Sequence, residues 1–77
     1  MKIKLYKNDI PNGINFKESV AVDTETLGLN HNRDRLCLVQ LSSGNGICYL
    51  IQIQKKIIKP KNLLKILTNK KVIKIFH

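Results

Sequence analysis

Apolar and polar positions follow a short, strand-like period along most of this chain and change to helical spacing once, between Pro60 and Asn69. Near the start, Ile3-Lys4-Leu5-Tyr6 reads as a candidate edge strand, followed by a turn at Pro11 to Gly13. Ser19 to Thr24 is the first firm strand. Leu27 to Arg35 is polar and turn-rich, a loop leading into Leu36-Cys37-Leu38-Val39-Gln40-Leu41. That continuous apolar run suits a strand covered on both faces. Ser42-Ser43-Gly44-Asn45-Gly46 is a turn signal, and Ile47 to Ile51 returns as a third strand. The three strands are expected to form an antiparallel meander.

Beyond them, Pro60 is well placed near a helix start, and Leu63, Leu64, Ile66 and Leu67 make one apolar stripe at helical spacing. Asn69 is a stop, with Lys70 and Lys71 near the carbonyl end, where cations are favoured. Val72 to Phe76 then reads as a fourth strand. A strand-helix-strand crossover predicts that this strand runs parallel to one already in the sheet. The fold class is α/β.

Seventy-seven residues make one small domain, near the lower limit for a core without staples. The two cysteines, Cys37 and Cys48, lie in apolar runs and are not opposite each other in the favoured hairpin register, so they are expected to be reduced thiols. No metal-ligand Cys/His spacing occurs. The N-terminus lacks an apolar signal core and no apolar run could span a bilayer, so a cytoplasmic protein with no membrane partner is expected. The net charge of +9, almost all from lysine, favours polyanion partners. Abundant Ile, Lys and Asn also fit AT-rich codons, so charge alone decides nothing. Four aromatic residues, none close in sequence, offer no stacking platform for single strands.

The sharp chemistry lies in VAVDTETLGL at residues 20–29. Side chains alternate along a strand, so Ala21, Asp23 and Glu25 share one face while Val20 and Val22 point into the core. Two carboxylates on one face suit hard divalent cations, which prefer oxygen ligands. In two-metal phosphodiester cleavage, paired ions stabilise the attacking and leaving oxygens. Asp23 would bridge the ions and Glu25 would hold one of them. Gly28, lacking a side chain, would let a nucleotide approach the backbone. A bare D-x-E is also found as two solvated acids at a strand end. His31, Arg33, Asp34 and Arg35 read as solvated loop residues.

Three segments in order, VAVDTETLGL at 20–29, RDRLCLVQLS at 33–42 and KVIKIFH at 71–77, resemble the front half of the DEDD superfamily of 3'-5' exonucleases, nearest to ribonuclease D. The resemblance implies a partial ribonuclease H-like fold, with residues 1–77 as the N-terminal part of the exonuclease domain. It implies Mg2+ or Mn2+ as cofactors and an RNA or DNA 3' end as substrate. It also implies that Asp23 and Glu25 are the first acid motif, catalytic and metal-binding, and that Thr26, Leu27 and Gly28 lie against the terminal nucleotide. His77 matches the histidine that opens the second motif, whose aspartate would come five residues later. The remaining acids would have to come from elsewhere, so the expectation is an incomplete site, inactive alone. A non-catalytic nucleic-acid-binding remnant, or one half of an enzyme completed by a separate polypeptide, are the alternatives.

Overall fold

In a computed structural model, the chain builds one sheet backed by one helix; the structure describes residues 1–26, 36–54 and 59–76. The elements are β1 (Lys2–Lys7), β2 (Ser19–Thr26), β3 (Leu36–Ser42), β4 (Ile47–Gln54), α1 (Lys61–Thr68) and β5 (Ile73–Phe76). The sheet has five strands in the order β1-β4-β3-β2-β5. Pairing of β2 with β3 and of β3 with β4 is antiparallel, which is the expected meander. The crossover through α1 brings β5 parallel to β2, with Val20 opposite Lys74 and Val22 opposite Phe76. This is an α/β sheet of the ribonuclease H-like kind.

The N-terminal strand adds a feature to that plan. β1 joins the sheet in parallel with β4, Ile3 opposite Cys48 and Leu5 opposite Leu50. Its connection to the rest is fixed by Asn8 and Asp9. Asn8 adopts a left-handed backbone (φ 70°), which its short polar side chain tolerates, and its Oδ1 accepts the Gln54 N–H at 3.2 Å. Asp9 then reaches the start of α1. Pro60, at the N-cap, provides no side-chain acceptor, and the first turn carries no acid. Asp9 supplies both deficits from across the fold: Oδ2 accepts the Asn62 N–H at 3.0 Å and Oδ1 the Leu63 N–H at 2.9 Å. Asn62 Nδ2 donates back to the Ile10 carbonyl at 3.0 Å. The other helix end stops at Asn69 as expected, and Lys74 Nζ donates to the carbonyls of Asn69 and Val72.

The core lies between α1 and one face of the sheet. Val20, Val22, Val39, Leu41, Tyr49 and Ile51 come from the strands, Leu63 and Ile66 from the helix, and Ile10, Phe16 and Val72 from connections. The helical stripe is narrower than its spacing predicts, because Leu64 lies at the rim and is exposed. β3 differs from expectation more instructively. Only its Val39 and Leu41 face is buried, whereas Gln40 on the other face is exposed, so this apolar run is covered on one side. Three of the four aromatics, dispersed in sequence, cluster in space: Tyr6 stacks on Tyr49 at 6.4 Å and Phe16 meets Tyr49 edge-on at 5.8 Å. Tyr49 and Phe16 are buried, so the cluster holds the core and presents no platform for bases. Cys37 and Cys48 are free; their strand partners are Ile53 and Ser42. Among the described residues, no helix is long and apolar enough to cross a membrane.

Asp9→Ala removes the acceptor for two N–H groups of the first turn of α1. It should lower unfolding free energy by about 1–2 kcal/mol, the scale of a lost helix cap. Urea denaturation read by circular dichroism checks this, and Asp9→Asn should lose less because it keeps one oxygen acceptor.

Candidate active site

The acid pair is positioned by the alternation of β2. Burial of Val20 and Val22, 0% and 1% exposed, fixes the strand's orientation and leaves Asp23 and Glu25 on the face turned away from α1. Asp23 is half-buried and Glu25 exposed. Their Cα atoms are separated by two strand residues, about 7 Å. Pairing with β5 extends along β2 as far as Val22. Beyond it, Asp23 to Thr26 are paired with β3 alone among the described strands. The acids therefore sit at the carboxyl end of β2.

β3 supplies the opposite wall. Asp23 is in register with Gln40 and Glu25 with Leu38. These four side chains line a small cleft of about 50 Å³. The cleft is small and open to solvent, so an ion held there would keep waters on its outer side. Hard oxygen donors on an open, partly solvated wall are the donor chemistry that magnesium or manganese takes, so the residues present fit a divalent ion. Among the described residues, no third acid, histidine or cysteine joins the pair. Of the other acids, Asp9 caps the helix and Glu18 borders a separate cleft with Ser19, Ser43 and Asn45.

Asp23 and Glu25 are thus brought together as the alternation predicts. Thr26 is the last residue of β2, opposite Cys37 in register. Leu27, Gly28 and His77 lie outside the described residues, as do His31, Arg33, Asp34 and Arg35. Two cleft residues, Leu38 and Gln40, were not singled out from the sequence. Their signal was present in the alternation of β3, but only the strand register reveals which of its residues faces which acid.

Residues 6–77 match the sequence model of a family described as 3'-5' exonuclease. The chain belongs to the 3'-5' exonuclease family. Solved structures agree with this membership. Brucella melitensis NrnC with bound Mg2+ is similar at 50% identity and a TM-score of 0.80, over 100% of this chain and 39% of that one. The same protein bound to pGG gives 50% identity and a TM-score of 0.79, over 100% of this chain and 38% of that one. A structure described as the apo form of the nuclease gives 42% identity and a TM-score of 0.81, again over 100% and 38%. This exonuclease-family chain therefore spans well under half the length of the structures it matches. No curated protein sequence matches it.

Added Mn2+ should broaden backbone amide signals around Asp23, Glu25, Leu38 and Gln40 first. Val39 and Leu41 side-chain methyls, on the core face, should broaden less. A heteronuclear NMR titration of the whole chain reads both sets at once.

Proposed function

We propose that residues 1–77 are the N-terminal part of a 3'-5' exonuclease domain that acts on RNA or DNA ends, and that they provide the first acid motif of a two-metal site. The observation that carries this reading is the placement of Asp23 and Glu25 on the face of an exonuclease-family sheet turned away from α1, at the carboxyl end of β2. Asp23 and Glu25 would hold the divalent ions, Asp23 shared between them and Glu25 on one. Thr26, Leu27 and Gly28 lie along the terminal nucleotide, and His77 begins the second motif. The NrnC structures with Mg2+ and with pGG support a divalent cofactor and a nucleic-acid end as the ligands of this face.

When bound, paired divalent ions activate the attacking water and stabilise the leaving oxygen. The contribution of this chain is to hold negative charge and orient it. β2 is clamped by its buried valines, so both carboxylates already point to one side of the sheet before a ligand binds. Their two charges fall short of the four on a pair of divalent ions, and magnesium held by so few ligands keeps most of its waters. A water nucleophile also requires a group to position it, which the resemblance assigns to a third motif outside this chain. Removing members of a catalytic unit removes nearly all of its rate enhancement. The isolated chain is therefore inactive, and activity requires the remaining acid motifs from further polypeptide.

A labelled oligonucleotide incubated with the chain and Mg2+ or Mn2+ should release no mononucleotide. Metal-dependent release that vanishes in Asp23→Ala would show that two acids suffice. Addition of a polypeptide carrying a downstream H-x4-D and a Y/H-x3-D motif should restore release, and Asp23→Ala should abolish it by several powers of ten.

The net charge of +9 favours a second reading, a nucleic-acid-binding remnant without catalysis. Its mark is binding that weakens steeply with salt yet survives both Asp23→Ala and EDTA. Failure of complementation together with that pattern would select it.

A further inference from the structure

Gln40 faces the carboxylate pair from the neighbouring strand. It is the register partner of Asp23, and it lines the cleft together with Asp23, Glu25 and Leu38. Directly opposed residues of an antiparallel pair lie on one face with Cβ atoms about 4.5–5.5 Å apart, so the amide is within reach of whatever Asp23 holds. Gln40 is exposed, whereas its strand neighbours Val39 and Leu41 are buried. Its side chain has no share in the core.

The chemistry of a divalent ion on two carboxylates gives this amide a task. Such an ion keeps several waters, and ion-bound waters are strong donors that require acceptors. Leu38 provides none. The Oε1 of Gln40 is the neutral acceptor in the cleft wall, and it imposes no like-charge repulsion on Asp23 in the metal-free protein. We infer that Gln40 is a positioning residue of the metal site, its Oε1 accepting hydrogen bonds from the water shell of a divalent ion held by Asp23 and Glu25. This inference rests on the metal reading of the carboxylate pair and adds to it a residue outside the acid motif.

The test is Mn2+ affinity of the 77-residue chain, measured by titration calorimetry on wild type, Gln40→Leu, Gln40→Glu and Gln54→Leu. NMR dispersion serves as the check that each variant is folded. Gln40→Leu should bind about tenfold more weakly, the lower end of the effect of removing an outer-shell partner. Gln40→Glu, which keeps an acceptor oxygen at the same place, should bind at least as tightly as wild type. Gln54→Leu makes the same chemical change on β4, two strands from Asp23, and should bind like wild type. Equal affinity in Gln40→Leu and wild type overturns the role of Gln40 while leaving the carboxylate site standing. Equal losses in Gln40→Leu and Gln54→Leu overturn it as well. No Mn2+ binding by wild type overturns both the inference and the metal reading beneath it.

Discussion

Burying Val20 and Val22 commits every other residue of β2 to the opposite side of the sheet. Because the strand period is two, no adjustment short of a register slip could turn Asp23 and Glu25 inward, and such a slip would expose both valines. The hydrophobic term thus aims the carboxylates. A fully buried valine contributes about 1.5–3 kcal/mol, so the pair opposes inversion of the strand by several kcal/mol. Register with β3 then chooses the neighbours of each acid, Gln40 for Asp23 and Leu38 for Glu25. Site and core are two faces of the same constraint.

The helix is tied to this sheet by a carboxylate that lies far from it in sequence. Asp9 serves as the cap that Pro60 does not provide, and the same turn places Asn8 against the end of β4. An acid in a short basic protein could be taken for a ligand. Here its two oxygens are occupied by backbone N–H groups, which separates it functionally from Asp23 and Glu25.

Much of this was legible from the residues. The meander, the parallel crossover, the Pro60 start and Asn69 stop of α1, and the facing of Asp23 and Glu25 all follow from periodicity and capping rules. Motif resemblance supplied the family. What escaped was non-local. Whether Ile3 to Tyr6 joined the sheet depended on β4 leaving an edge for it, and nothing near Lys4 encodes a partner at Tyr49. The run around Val39 looked doubly buried because Leu38 and Cys37 are apolar, although its outer face includes the exposed Gln40. Tyr6, Phe16 and Tyr49 cluster only once β1 and β4 are side by side. Asp9 carried no helix signal because its helix is not adjacent in the chain.

The parallel pairing of β1 has a consequence for the order in which the molecule is made. β1 is synthesised before β2 and β3, yet its hydrogen-bonding partner β4 comes only after them. Asp9 waits longer still, since the Leu63 amide that it caps lies 54 residues further on. Until then β1 is without its neighbour, and closing so long a loop is entropically unfavourable before the meander exists. The meander β2-β3-β4, built from sequence-adjacent pairs, closes only short loops, whereas the pairings of β1 with β4 and of β5 with β2 each close a long one. A strand made before the meander can thus pair only after the meander is complete.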